Sequence, residues 1–132
     1  MATRSQVILI TNDNKAHLYY HHWDGYPKGV GEELRRYMVY SIGMKVLCSD
    51  RSMYDLMMDS ISANSSYEDE NIFDLSNHNH LHADIEYLYI VTNDCLYCAR
   101  AWGMYEKVEA FNDVLSLVCK EENKLPLDKP IR

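Results

Sequence analysis

From residue 21 to residue 31 the chain reads HHWDGYPKGVG, between a stretch typical of a strand and a stretch typical of a helix. Three glycines and one proline fall within its last seven residues. Because glycine reaches positive φ freely and proline fixes φ near −65°, this composition predicts a tight, irregular turn. Exposed polar and aromatic residues on a loop held by a rigid scaffold commonly form binding sites. This turn is therefore the first candidate site.

Two predicted strands precede the turn and form a β-hairpin. Residues 4–10 are β-branched and apolar, which predicts a buried strand, and the Asn and Asp residues in 11–15 supply turn chemistry. The second strand covers residues 16–23, and the simplest interpretation is an amphipathic strand whose histidines are solvated. Alternation places two histidines and two aromatic rings on one face: His17, Tyr19, His21 and Trp23.

A second hairpin and three helices complete the predicted fold. The second hairpin joins residues 84–91 to residues 95–102, with turn residues between them. Apolar periodicity predicts one helix over residues 30–42, another over residues 50–61 and a last one that begins near Gly103. The last helix carries an apolar stripe: Met104, Val108, Phe111, Leu115 and Val118.

Paired strands with helices after each pair predict an α+β domain. We expect a mostly antiparallel sheet of two β-hairpins, with helices packed on one face and the element order ββααββα. Residues 1–121 form a single domain, and residues 122–132, which contain two prolines, form an irregular C-terminal tail. Residues 63–81 are the least regular part and are predicted to be a loop.

Composition excludes several classes of protein. The chain has 132 residues, of which 47% are hydrophobic and 25% are charged, as in an ordinary globular domain. No apolar run approaches the roughly 18 residues of a membrane span, and no signal peptide is visible, so we expect a cytoplasmic protein with reduced cysteines. A net charge of −7 argues against binding a nucleic acid polymer. We expect no cofactor. The composition is compatible with either a monomer or a homo-oligomer.

Two groups of residues have the spacing of metal ligands, so a metal site is an alternative to our prediction that no metal is bound. His78, His80 and His82 are spaced by two, so on a strand all three would point the same way, and imidazole suits zinc, copper or nickel. Cys95 and Cys98 have the spacing of a zinc knuckle. However, a structural zinc usually needs two such pairs, and a cytoplasmic core also explains the two cysteines. Our prediction is no metal.

Acid–base catalysis is a second alternative. His21, His22 and Asp24 lie within four positions, and a histidine beside a carboxylate can transfer protons near neutral pH. This would suit a histidine-dependent phosphoester hydrolase. No nucleophile motif, phosphate-binding loop or paired-carboxylate signature accompanies the three residues. We therefore favour a protein that is not an enzyme.

The leading hypothesis is a non-catalytic binding site. The turn opens onto a helix N-terminus, where free backbone N–H groups and the dipole favour an anion. The aromatic rings of the turn could stack a base or another planar group. The alternative is that these rings fix the turn on the core. The candidate ligand-binding residues are His22, Trp23, Asp24, Gly25, Tyr26, Lys28, Glu86 and Arg100.

The segment from Tyr20 to Gly31 resembles a motif in small uncharacterised proteins of bacteria, phages and mobile elements. These proteins pair an aromatic-His-Trp-Asp-Gly-Tyr-Pro turn with a strand that carries a glutamate and tyrosines, whose counterpart here would be Glu86-Tyr87-Leu88-Tyr89. The resemblance implies a cluster that links the turn to the third predicted strand: Trp23, Asp24, Gly25, Tyr26 and Glu86. It also implies an accessory role in phage or mobile-element biology, such as sequestering a component of a defence system.

The sequence therefore predicts a small cytoplasmic binding protein. Its expected partner is a small anionic or nucleotide-like ligand, or another protein, captured through the turn. The competing hypothesis is a phosphoester hydrolase that uses His21, His22 and Asp24.

Overall fold

The computed structural model describes residues 3–10, 15–40, 66–71, 77–92 and 95–131. Its strands are β1 (Ser5–Ile10), β2 (Lys15–His21), β3 (Ser66–Asn71), β4 (Tyr87–Val91) and β5 (Leu96–Arg100). Its helices are α1 (Glu32–Tyr40), α2 (Met104–Lys107) and α3 (Phe111–Val118), with a π-helical turn at Pro27–Gly31 and a 3-10 turn at Glu121–Asn123. The α+β class is confirmed. The predicted helix over residues 50–61 lies outside the described residues.

Both predicted hairpins are present, but a parallel pair of strands joins them. The sheet has the order β3-β2-β1-β4-β5. β1 pairs with β2, β2 with β3, and β4 with β5 in antiparallel fashion, whereas β1 and β4 run parallel. The sheet is thus mixed, a difference from the predicted arrangement of two antiparallel hairpins. Hairpin turns determine local pairings, but the pairing of β1 with β4 depends on packing between distant apolar strands and has no local signal.

Helices pack on both faces of the sheet, not on one face as predicted. Leu34 and Met38 of α1 lie in a core with Val7 and Leu9. The opposite face packs against α3 in a second core formed by both hairpins and the helix: Ile8, Leu88, Ile90, Phe111, Val114 and Val118. The reason is that β1 and β4 are apolar at successive positions, so neither face of these central strands can be left to water.

The predicted loop over residues 63–81 contains an additional strand. β3 lies at the edge of the sheet, where it pairs with β2 from Ser66 to Asn71. Its sequence, SYEDEN, lacks the apolar alternation that identifies a half-buried strand. An edge strand is held by backbone hydrogen bonds and tolerates charged residues, which explains why the sequence gives no indication of it. In the described part of the chain the element order is therefore ββα followed by βββαα.

The last predicted helix is interrupted at Val108, which adopts extended backbone angles between α2 and α3. The buried side chain of Asn79 explains the interruption. Its amide nitrogen donates to the carbonyl oxygens of Tyr105 at 2.9 Å and Val108 at 2.6 Å, and its amide oxygen accepts from the Leu81 N–H at 3.0 Å. Carbonyls that a continuous helix would use internally are bonded to Asn79 instead.

The irregular C-terminal segment, predicted over residues 122–132, is hydrogen-bonded to β5 at one end and to α1 at the other. The Leu125 N–H donates to the Leu96 carbonyl at the outer edge of β5. Further along, the Glu32 carboxylate accepts from the Ile131 N–H at 2.9 Å, and Arg35 donates to the Leu127 carbonyl at 3.2 Å. The hydrogen bond from Arg35 lowers the pKa of Glu32 to about 2, so this carboxylate stays charged in moderate acid. The segment therefore connects β5 to α1 through these hydrogen bonds.

Replacing Asn79 tests its role in holding the break between α2 and α3. We expect Asn79→Ala to destabilise the fold by about 2–3 kcal/mol, because three backbone groups lose their hydrogen-bond partner and lie near or in the core. Urea denaturation followed by circular dichroism measures the change. Asn112→Ala, at an exposed position of α3, serves as the control and should change stability by less than about 0.5 kcal/mol. Equal effects of the two substitutions would contradict this account.

Candidate functional site

Four strands bring the candidate residues to one end of the sheet. β1 and β4 begin, and β2 and β5 end, at what we call the site end. There Ser5 lies opposite His21 on one side and Tyr87 on the other, and Tyr87 lies opposite Arg100. With strands about 4.8 Å apart, His21 and Arg100 are separated by about 14 Å. The turn after β2 and the residues that flank β4 and β5 therefore share an end but form two neighbouring areas.

A hydrogen bond from β4 anchors the turn. The Tyr89 hydroxyl, fully buried, donates to the Gly25 carbonyl at 2.7 Å, and the Gly25 N–H donates to the Thr3 carbonyl at 2.8 Å. A Cβ on residue 25 would lie 2.7 Å from the Cβ of Ser5 and 2.8 Å from the Thr3 carbonyl oxygen. Only glycine allows this approach of the turn to β1. The turn is thereby linked to the two central strands.

The turn closes on itself through its own backbone. The Val30 N–H donates to the Asp24 carbonyl at 2.8 Å, and the Gly29 N–H donates to the Tyr26 carbonyl at 2.9 Å. Asp24 adopts a positive φ of 54°, a conformation that aspartate tolerates better than most residues. These two N–H groups are not free to bind an anion. The anion site expected at the start of the helix therefore has fewer donors than the sequence suggests.

The side chains of the turn point mostly to solvent. Trp23 is 51% exposed and Tyr26 is 40% exposed, and Lys28 is exposed as well. The ring of His22 packs edge-on against Trp23 with centroids 4.7 Å apart. The Tyr26 hydroxyl donates to the Asp24 carboxylate at 3.2 Å, a bond that raises the pKa of Tyr26. The turn thus presents an aromatic and polar surface.

His21 is buried, in contrast to the solvated histidines expected on β2. Its ring has no exposed surface, and neither ring nitrogen has a hydrogen-bond partner among the described residues. Burial without a partner lowers the pKa of His21 to about 4. Asp24 is bonded to Tyr26 instead. The structure therefore does not bring His21 and Asp24 together as a proton-transfer pair, and His21 cannot reach a substrate in solution.

The second area of the site end is a cavity of about 360 Å³. It is lined by Glu86, Tyr87, Arg100 and Trp102. The guanidinium carbon of Arg100 lies 5.8 Å from the centre of the Tyr87 ring, within the range of a cation–π contact. Trp102 is 74% exposed. The cavity thus combines a cation, a carboxylate and two aromatic rings, which are groups that bind planar, charged small molecules.

The backbone of Glu86 is fixed from both sides. Its N–H donates to the Arg4 carbonyl at 2.9 Å, and its carbonyl accepts from the Ala101 N–H at 2.9 Å. Glu86 therefore connects the start of β1 to the residue that precedes Trp102. The contact from this strand to the turn is made by Tyr89, whereas Glu86 lines the cavity. Of the predicted ligand-binding residues, Glu86 and Arg100 share the cavity and the others lie on the turn.

The histidine tract does not form the strand on which the metal alternative depends. The Gln6 side chain donates to the His80 carbonyl and accepts from the His82 N–H, and His80 has a positive φ of 57°. The rings of His78 and His80 meet at 4.9 Å, but His82 stacks on Tyr20 at 4.3 Å. Within the described ranges, no three His, Cys, Asp or Glu side chains are grouped to hold a metal ion.

The cysteine pair also differs from a metal-binding turn. Cys98 lies within β5, and Cys95 lies just before this strand. Burial raises the pKa of the Cys98 thiol to about 11, so it remains protonated at neutral pH. A metal ligand must be the thiolate. Cys98 packs instead against the core on the α1 side of the sheet.

Sequence reasoning missed the roles of Trp102 and Tyr87 in the cavity. Both residues are predicted to lie in the strands of the second hairpin, and the sequence assigns neither of them a role in a site. The signal that points to them is positional: Trp102 follows Arg100 by two residues, at the end of a strand that pairs with Tyr87. The second predicted hairpin is enough to predict that Tyr87 pairs with the strand that contains Arg100. It does not predict that Trp102 is exposed.

The geometry defines an exposed aromatic turn beside a charged aromatic cavity, a combination typical of binding sites. Comparison of the chain with protein-family models, curated proteins and solved structures finds no match. Among the described residues, no helix has the length and apolar character needed to cross a membrane. The function is therefore argued from the site alone.

The burial of His21 predicts a pH-dependent stability. Its pKa is about 4 in the folded state and about 6.5 when unfolded, so the unfolded state binds the proton first as the pH falls. The contribution of His21 to stability is therefore lost between about pH 6.5 and pH 4. We expect His21→Phe to reduce this loss by about 2–3 kcal/mol, measured as urea-unfolding free energies at pH 7.5 and pH 4.5.

At pH 7.5 the same substitution should be neutral or stabilising, because no hydrogen bond of the ring is lost. His82→Phe, which replaces an exposed ring, is the matched control and should leave the pH dependence close to that of the original protein. If His21→Phe keeps the full pH dependence, the protonation of His21 does not control it.

Proposed function

We propose that the protein is a non-catalytic binding protein that captures a small nucleotide-like anion at the site end of the sheet. The observation that carries this proposal is the 360 Å³ cavity lined by Glu86, Tyr87, Arg100 and Trp102. Its volume lies at the lower end of the range found for small-molecule sites, about 300–1,000 Å³. The ligand is therefore of mononucleotide size.

The lining residues suit the two chemical parts of such a ligand. A guanidinium offers a planar set of donors that matches phosphate oxygens, so Arg100 is the anion-binding group. An exposed indole ring stacks on any planar base, so Trp102 is the base-binding group, whereas the half-buried Tyr87 ring packs against the core and lies beside Arg100. Because the whole chain carries a charge of −7, attraction of an anion depends on the local cation.

The arrangement of the histidines gives little support to the hydrolase alternative. A general base must reach the proton that it removes, and His21 is fully buried with a depressed pKa. Asp24 is engaged by the Tyr26 hydroxyl. His22 packs on Trp23 and remains as the accessible imidazole of the turn. Binding without turnover therefore explains the site better than hydrolysis.

A protein partner is the second candidate ligand, and the exposed turn favours it. Trp23 is half exposed and Tyr26 nearly so, and aromatic residues of this kind often provide the central contacts of protein interfaces. The two candidates use different parts of the site end: a nucleotide would contact the cavity, and a protein would contact the turn. Variants of each part can thus distinguish them.

The biological setting is a further part of the proposal, and it depends on the resemblance of the turn motif. On that basis the protein acts in the cytoplasm as an accessory factor of a phage or mobile element. Capture of a small nucleotide-like molecule would suit an anti-defence factor that sequesters a signal without destroying it. No cofactor or metal takes part in this mechanism.

Isothermal titration calorimetry with GMP and AMP at low salt tests the proposed binding. We expect at least one of the two nucleotides to bind. Arg100→Gln should weaken this binding roughly 10–100-fold, because the charged bonds to phosphate are lost. Trp102→Ala should weaken it roughly 5–100-fold through loss of stacking. Lys107→Gln, which removes an exposed cation outside the cavity, is the control and should bind normally.

The titrations also separate the competing functions. If neither nucleotide binds, or if the control weakens binding as much as Arg100→Gln does, the nucleotide proposal fails. Product formed from GMP or AMP during the titration, and lost in His22→Ala, would favour the hydrolase. Capture of a protein partner that is abolished by Trp23→Ala but not by Arg100→Gln would favour the protein-binding alternative.

A further inference from the structure

The cavity holds two opposite charges that do not neutralise each other. Glu86 and Arg100 both line it, yet among the described residues no ion pair or hydrogen bond engages the carboxylate of Glu86 or the guanidinium of Arg100. Arg100 lies near the Tyr87 ring instead. A carboxylate and a guanidinium that line one cavity without pairing are both available to a ligand. The proposed anion-binding role uses Arg100 and leaves Glu86 unexplained.

Glu86 is a poor residue for a cavity that binds only an anion. A carboxylate next to the ligand repels phosphate and offers no donor, because an ionised Glu only accepts hydrogen bonds. Its backbone is held by the Arg4 carbonyl and the Ala101 N–H, which fixes the position of Glu86 in the wall of the cavity. A carboxylate at this position therefore suits a ligand that also presents N–H donors, at some distance from its anionic group.

The exposed ring of Trp102 restricts where these donors can be. A base stacked on Trp102 presents only its edge to other groups, so the donors must lie on that edge. Guanine has two adjacent donors there, the ring N1–H and the exocyclic 2-amino group, and these match the two oxygens of one carboxylate. Adenine presents a ring nitrogen lone pair beside its amino group, and this lone pair repels a carboxylate.

We propose that the cavity selects guanine nucleotides: the Glu86 carboxylate accepts from the N1–H and the 2-amino group of guanine, while Arg100 binds the phosphate. This inference rests on the proposed nucleotide-binding function and names its ligand. The Trp102 ring contributes affinity for any base, and Glu86 contributes the choice between bases. The site thus divides affinity and selectivity between different side chains.

Calorimetry with three nucleotides tests the selectivity without altering the protein. GMP offers both donors, IMP offers the ring N–H but lacks the 2-amino group, and AMP offers neither in the required arrangement. We expect GMP to bind at least tenfold more tightly than AMP, with IMP between them. Guanosine, which lacks the phosphate, should bind more weakly than GMP and keep the preference over adenosine.

The substitution Glu86→Gln then assigns the selectivity to this residue. It should weaken GMP binding at least tenfold and remove the preference for GMP over AMP, because an amide can accept from only one of the two donors and offers N–H groups that suit adenine. Glu109→Gln, which neutralises an exposed carboxylate elsewhere, is the matched control and should leave the order of affinities unchanged.

The outcomes separate this inference from the function on which it rests. Equal binding of GMP and AMP to the unmodified protein overturns the guanine preference and leaves nucleotide binding in place. A preference for GMP that survives Glu86→Gln overturns the role of Glu86. Failure of GMP, IMP and AMP to bind overturns the proposed nucleotide function and this inference together. The nucleotide series decides the question even if Glu86→Gln fails to fold.

Discussion

The hydrogen bond from the Tyr89 hydroxyl to the Gly25 carbonyl joins the turn to the central strands, and the site end depends on it. A buried carbonyl that lost this donor would be left without a partner, which costs on the order of 1–3 kcal/mol. The bond also holds Gly25 against Ser5, where only a glycine fits. α1 begins directly after the turn, so one contact aligns the turn, the helix and β4.

The sequence allows the strands of the two hairpins to be predicted, because their apolar residues are local and regular. β1 and β4 are short apolar runs, and each is followed closely by a partner strand. The parallel pairing of β1 with β4 could not be predicted in this way, since it depends on contacts between distant parts of the chain. The same is true of the break at Val108, which a side chain from another segment, Asn79, stabilises.

The conformation of the turn could be predicted better than the surroundings of its side chains. Glycines and aromatic residues indicated the turn, and its backbone does adopt the tight conformation that they imply. Alternation predicted one face with His17, Tyr19, His21 and Trp23, but β2 ends at His21. The first three side chains are buried and Trp23 is exposed, a difference that the alternation does not indicate. The burial of His21 and the exposure of Trp102 depend on tertiary packing, which no local pattern contains.

The parallel pairing of β1 with β4 also determines at which stage of folding the candidate site is formed. Glu86 is held by Arg4 of one hairpin region and by Ala101 of the other, and the turn after β2 is held by Tyr89 of β4. Each hairpin can form early from neighbouring residues, but neither contains the whole site end. Partly folded chains with only local structure therefore have no complete site. The candidate site is therefore a property of the fully assembled sheet, and it is complete only when the two hairpins are in contact.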